Sequence, residues 1–214
     1  EVRALREASP IAYVPAGSLE WHSFQNPLGT DALKAHAVCC EAALRHGGIV
    51  LPPFYQGLVG DHNWGPEGWQ GYTLGFNQPD MLEAAMLGTG RALVLGGWKV
   101  IVGVSGHDVE PQRAAMERAF AKAVEGTDVK SFAVLEGGLQ QSEDDLPVSM
   151  DHAGAWETSC MMHACPGRVD LDTLRQRELS DPEQMKMSGP EGIGGKNPLK
   201  YASEQLGRGI VEKM

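Results

Sequence analysis

The chain has 214 residues, 42% hydrophobic and 21% charged, an ordinary globular composition that excludes disordered and fibrous classes. A formal net charge of -10 argues against nucleic acid or an anionic membrane surface as a partner. No apolar run reaches the roughly 18 residues of a membrane span, and no secretory leader is read at the N-terminus.

The first strand signal is Ile11-Ala12-Tyr13-Val14-Pro15, followed directly by Glu20-Trp21-His22 and then Asp31. Thr30 or Asp31 is placed to cap a helix that runs to Arg45 and stops at Gly47-Gly48. Adjacent Cys39 and Cys40 on that helix read as buried thiols. With Cys160 and Cys165 they form no disulfide framework, which points to a reducing, cytoplasmic setting. Ile49-Val50-Leu51 is a short second strand ended by Pro52-Pro53, and a Gly- and Trp-rich loop follows to about Asn77.

Pro79 opens the next helix, to about Gly96, and Val100 to Val104 is a strand of the kind buried on both faces. Pro111 opens a helix that ends at Val124, and Val129 to Leu135 is a fourth strand. An acidic loop containing Glu143-Asp144-Asp145 leads to Asp151-His152 and a helix through Met162. A Gly-rich loop at 190–198 precedes a final helix expected over Leu199 to Glu212.

Strands alternating with helices of this length imply βαβ units and a mostly parallel sheet. The expected fold is therefore α/β, a single three-layer α/β/α domain over residues 1–214. Right-handed crossovers put every strand's C-terminal end on one edge, where open α/β sheets bind ligands. Glu20-x-His22, Gly106-His107-Asp108 and Asp151-His152 all follow strands and so converge on that edge. Side chains at i and i+2 on extended backbone point the same way, so Glu20 and His22 can enter one site. Two carboxylates and an imidazole are donor types that divalent zinc or manganese takes. Read alone, Asp31 is equally a helix cap.

Four segments, in order, resemble motifs of the creatininase family of metal-dependent amidohydrolases. Gly17-Ser18-Leu19-Glu20-Trp21-His22 through Pro27-Leu28-Gly29-Thr30-Asp31 is similar to the family's G-S-x-E-x-H-G … P-L-G-T-D, and Val104-Ser105-Gly106-His107 stands where it has N-G-H. Asp151 through Ser159 resembles H-A-G-x-x-E-T-S, and Gly195-Lys196-Asn197-Pro198 with Ala202 through Gly207 resembles the closing motif.

The resemblance implies a creatininase-like fold and two divalent ions per chain, zinc or manganese, with iron also suited. Asp31 would bridge both ions, Glu20 and His107 would complete one, and His22 with Glu157 the other. His152 and Glu157 would be catalytic, His152 as acid or base beside a metal-bridging hydroxide. Such a pair of ions lowers the pKa of bound water from about 15.7 towards about 7. A small-molecule cyclic substrate and a homo-oligomer, hexameric in related enzymes, are the implied partners.

Three departures fall on the substrate side. Ser23 replaces a glycine, Gln25 or Asn26 replaces a second histidine, and Ser105-Gly106-His107-Asp108-Val109-Glu110 replaces N-G-H-G-G-N. A metal-binding glutamate found two residues after the family histidine is Val109 here, so Glu157 takes that role, with Glu110 as the fallback. Trp21, Ser23 and Gln25 are expected to tune the substrate. His62, Trp64, Trp69 and Tyr72 of the aromatic loop, with Asp108, are the candidate substrate contacts. His36, His46 and His163 are assigned no role. Hydrolysis of a cyclic amide is the leading function. A ring-opening hydrolase of a lactone or an inositol-derived ketone such as 3-dehydro-scyllo-inosose is the rival, and a non-catalytic metal-binding assembly protein the third.

Overall fold

The computed structural model describes residues 1–59, 73–140 and 146–214. A short helix α1 (Val2–Ala8) leads into strand β1 (Ile11–Ala16), the two-residue strand β2 (Leu19–Glu20) and helix α2 (Thr30–His46). Strands β3 (Ile49–Val50) and β4 (Thr73–Leu74) precede helix α3 (Pro79–Leu95), strand β5 (Val100–Ser105), helix α4 (Glu110–Val124) and strand β6 (Lys130–Leu135). The last third carries helices α5 (Ala155–Ala164) and α6 (Leu171–Arg175), the strands β7 (Gln184–Met185) and β8 (Gly195–Lys196), and helices α7 (Pro198–Tyr201) and α8 (Glu204–Lys213).

The central sheet is wholly parallel, in the order β3-β1-β5-β6. Side chains alternate across it as a period of two requires. Ala12, Val14, Ala16 and Ile101 pack with Met116, Phe120, Leu82 and Met86 of α4 and α3 on one face. Tyr13 and Val104 pack with Ala35 and Cys39 of α2 on the other. A further cluster joins Val38 to Trp156 and Cys160 of α5 and to Ile210 and Val211 of α8. Helices thus flank both faces, the α/β layering anticipated from the alternating pattern. Among the described residues no helix is long and apolar enough to cross a membrane.

Two local expectations are corrected. Asp31 does not cap α2: Gly29 holds the cap position and makes no side-chain cap bond, while Asp31 lies inside the first turn. Thr30 turns its hydroxyl back to the Pro27 carbonyl at 2.7 Å. The C-terminal helix is also two helices rather than one. Ala202 and Ser203 are extended between α7 and α8, and the Ser203 hydroxyl accepts from Leu206 N to start α8. Packing enforces the break. The Ser203 N–H donates to the Ser159 hydroxyl, and a Cβ on Gly207 would lie 1.8 Å from the Ser159 carbonyl oxygen. The chain must therefore re-enter helix at an angle that lays Gly207 against α5.

Candidate metal centre

The strands end at one edge, and the site is built there. Asp31 is delivered by the first turn of α2, pressed between the ends of β1 and β5. A Cβ on Gly17 would meet Ala32 N at 2.2 Å, and one on Gly106 would meet the Asp31 carbonyl oxygen at 2.0 Å. Only glycine allows backbones to approach this closely. Glu20 closes β2, and its partner across the β2–β4 pair, Thr73, donates its hydroxyl to Glu20 Oε1 at 3.1 Å. His107 follows β5 directly. Glu157 sits in the first turn of α5, with its Oε2 accepting from Ala153 N at 2.6 Å.

Among the described residues three groups of ligand type form, Glu20 with His22 and His152 and two that share Asp31. Ligand atoms of Glu20, Asp31 and His107 lie within 4.8 Å of one another, as do those of His22, Asp31 and Glu157. Asp31 Oδ2 is 3.1 Å from His107 Nδ1, and its Oδ1 is 3.1 Å from His22 Nε2. Glu20 Oε2 stands 3.2 Å from His107 Nδ1, and Glu157 Oε2 stands 3.3 Å from His22 Nε2. Glu20, His22, Asp31, His107 and Glu157 are all buried.

Burial disfavours charge on His22, Asp31, His107 and Glu157, but the clustering overrides it. Glu157 and Asp31 hold the His22 imidazole well above its ordinary pKa despite complete burial. Asp31 and Glu20 likewise push His107 up to about 10 against the pull of desolvation. The Asp31 carboxyl is held well below its usual range against burial, chiefly by His22 and His107. The cluster thus gathers three carboxylates around two imidazoles and calls for positive charge at two points.

The donor set fits metal ions on a second count. His22 Nδ1 lies 3.0 Å from the Glu20 carbonyl oxygen, so it carries the proton and leaves the Nε2 lone pair facing the carboxylates. Despite the short contacts, neither His22 Nε2 nor Asp31 Oδ2 has a hydrogen-bond partner among the described residues. Buried polar atoms are rarely left so. Atoms that approach without donor–acceptor alignment are what a set of ligands around a shared cation would present.

His152 lies beside this cluster. Its ring stacks on His22, with centroids 4.4 Å apart and planes tilted by 33°. Its Nε2 donates to the Trp21 carbonyl at 3.1 Å, and its backbone pairs with Gly194. Burial first, then the neighbouring His22, lower its pKa, which keeps the imidazole neutral. A cleft of about 650 Å³ opens onto the cluster, walled by Asp108, Val109, Met150, Met187 and Gly194 among others.

Other sequence expectations fare differently. Glu110, the fallback carboxylate, is exposed at the start of α4 and paired with Arg113 at 2.5 and 2.8 Å, outside both ligand groups. Gln25 is 1% exposed and spends its amide on the Ala153 carbonyl at 2.7 Å, so it braces the entry to α5 rather than facing the cleft. Trp21 packs on Phe24 with ring centroids 5.3 Å apart. His62, Trp64, Trp69 and Tyr72 lie outside the described residues, as does the Glu143-Asp144-Asp145 run.

Ser23 is buried at φ 60, and among the described residues its hydroxyl has no hydrogen-bond partner, in the place where the motif carries glycine. The left-handed conformation costs a non-glycine residue about 1–2 kcal/mol. Ser23→Gly is therefore expected to raise stability by about 1 kcal/mol, read as a shift of the denaturant midpoint. No gain would mean that the hydroxyl has a compensating partner.

Sequence reasoning missed Lys34 and Glu136, and it placed Asp151 beside His152 at the site without giving it a role. The Asp151 carboxylate accepts from Trp156 N at 3.0 Å and Glu157 N at 3.1 Å, and so caps α5 from outside. Its place in a D-H-A-G-x-x-E segment was the available signal.

A sequence model of the creatininase family, described as creatinine amidohydrolase, matches residues 1–214. The chain belongs to the creatininase family. Its members are metal-dependent hydrolases, and that is the enzyme class of this protein. Creatinine amidohydrolase of Pseudomonas putida is 28% identical over 178 residues, 77% of this chain and 68% of the relative. Mycofactocin precursor peptide peptidase of Mycolicibacterium smegmatis is 31% identical over 179 residues, 80% of this chain and 65% of the relative. The chain therefore spans about two thirds of each relative's length. A crystal structure of creatinine amidohydrolase (creatininase) superposes with a TM-score of 0.77 at 21% identity, covering 98% of this chain and 88% of that one. A manganese creatininase superposes at 0.74 with 21% identity, covering 98% and 89%. A mutant of Zn–Zn type gives 0.77 with 20% identity, covering 99% and 89%. These likenesses establish the creatininase fold.

Proposed function

We propose that residues 1–214 form one catalytic domain that holds two divalent ions and hydrolyses the C–N bond of a small cyclic amide. What carries this reading is the division of five buried side chains into two half-sites that share Asp31. Glu20, Asp31 and His107 would hold one ion, and His22, Asp31 and Glu157 the other. Carboxylate and imidazole donors suit zinc and manganese, and iron equally. Zinc and manganese are named for two of the structural neighbours. When bound, such a pair supplies Lewis acidity and a strong nucleophile at neutral pH.

The remaining work belongs to the chain's own side chains. With Nε2 donating to the Trp21 carbonyl, the neutral His152 ring has Nδ1 as its basic atom, which would take a proton and return it to the leaving nitrogen. The ring stack on His22 and the pairing with Gly194 hold that imidazole in place. Met150, Met187 and Val109 offer apolar walls to a ring, and Asp108 offers an acceptor for its N–H or O–H groups.

Asp108 is also the observation that favours a second reading, ring opening of a sugar- or polyol-derived lactone or ketone, because a carboxylate accepts well from hydroxyls. The peptidase named for the Mycolicibacterium relative adds acyclic peptide bonds to the substrates worth testing.

Metal analysis before and after chelation, coupled to a panel of cyclic amides, lactones, polyol ketones and peptides, tests these readings. Two ions per chain are expected, with amide turnover that is lost on chelation and restored by zinc or manganese. Fewer than two ions per chain at saturating metal would overturn the two-ion reading. Turnover of polyol-derived rings but not amides would select the second reading, and bound metal without turnover a non-catalytic protein.

A further inference from the structure

Lys34 lies one turn beyond Asp31 on α2, on the same helix face, and only 3% of it is exposed. Its ammonium reaches Glu157 Oε1 at 2.6 Å and Glu136 Oε2 at 3.3 Å, and stands 5.2 Å from the centre of the Trp156 ring. Glu136 follows β6 directly and is 1% exposed. Neither of its carboxylate oxygens has a hydrogen-bond partner among the described residues. Lys34 is the one cation recorded within ion-pair reach of Glu136 among those residues.

A buried ion pair is a poor stabilising device, since desolvating both charges consumes most of the Coulombic gain. This one has a geometric consequence instead. Glu157 has two oxygens, and Lys34 occupies Oε1. Oε2 is left to take the Ala153 N–H at 2.6 Å and to face His22 Nε2 at 3.3 Å. A carboxylate held this way presents one oxygen to its half-site rather than two. Glu136 also reaches the ammonium and shares its charge, so the ligand carboxylates keep most of theirs.

We propose that Lys34 is a positioning residue of the site: together with Glu136 it pins one oxygen of Glu157 so that the other serves the His22–Asp31 half-site. This rests on the two-ion reading above. It predicts an asymmetry that a purely structural lysine would not produce. Loss of the clamp weakens the ion held by His22, Asp31 and Glu157, while the ion held by Glu20, Asp31 and His107 is left alone. Outer partners of metal ligands typically contribute about 10- to 100-fold in affinity.

The test is calorimetric titration of zinc into metal-stripped protein. Lys34→Met alone would strand the buried Glu136 charge, so Lys34→Met/Glu136→Gln, which removes both charges together, is the main variant. One binding step is expected to weaken by about 10- to 100-fold and the other to stay within about threefold of the native value. His22→Ala should lack the step that weakens, which identifies it. Native affinity at both steps, or equal weakening of both, would overturn the proposal.

If the double variant does not fold, Glu136→Gln alone decides. With the whole of the Lys34 charge falling on Glu157, the same step should weaken several-fold, and an unchanged titration would refute the clamp. Failure of the parent reading looks different, because the native protein would then bind fewer than two ions. Two native ions with unaltered variants would sink the clamp alone.

Discussion

Replacing Asp31 with alanine is expected, on the proposed two-ion reading, to remove both ions at once and to abolish hydrolysis. One Asp31 oxygen stands 3.1 Å from His22 Nε2 and the other 3.1 Å from His107 Nδ1, so each half-site loses a ligand with a single substitution. The remaining pairs, Glu20 with His107 and His22 with Glu157, provide two side chains each, fewer than the three that catalytic sites ordinarily use. Metal content is the deciding measurement. It should fall from two ions per chain towards none, and Asp31→Asn should behave alike, because size without charge does not restore a bridging carboxylate. Retention of one tightly held ion would show that Asp31 serves a single half-site.

His152→Ala is expected to have the second-largest effect and a different signature. The ring touches His22 and the Trp21 carbonyl but is not needed to complete either Asp31-sharing group. Ion content should therefore persist while turnover falls by about 100- to 10,000-fold, the range for an acid–base group. The rate constant rather than substrate affinity should carry the loss, and only a single-turnover measurement separates the two. Because a ligand atom of His152 also lies near those of Glu20 and His22, one outcome would reassign the residue. If the variant loses an ion, His152 is a ligand and not the proton carrier.

The parts of the molecule legible from sequence are those in which chemistry and local period agree. Val100 to Val104 could only be a strand buried on both faces, and Pro79 and Pro111 mark helix starts because their missing N–H groups cost nothing there. Glu20-x-His22 could be recognised because two metal-preferring side chains stand next to a strand end. Lys34 could not. A lysine one turn after an aspartate on an amphipathic helix reads as a solvated residue, and only the arrival of Glu136 and Glu157 from elsewhere in the chain makes it a buried cation. The break at Ala202 and Ser203 is equally tertiary, since it depends on Gly207 lying against the Ser159 backbone. The left-handed Ser23 and Ala153 carry no compositional sign either. Each directly follows a site histidine, His22 or His152, and turns the chain sharply as it leaves that residue.

Gly17 and Gly106 have one further consequence. Because they bring the ends of β1 and β5 into contact with the first turn of α2, the backbone that carries Asp31 is a structural joint of the central sheet, not an appendage to it. A lesion at either glycine would reach the ligands without touching one, by wedging the helix away from the strands. By the same packing, the geometry of the candidate centre is tied to that of the adjoining strand ends.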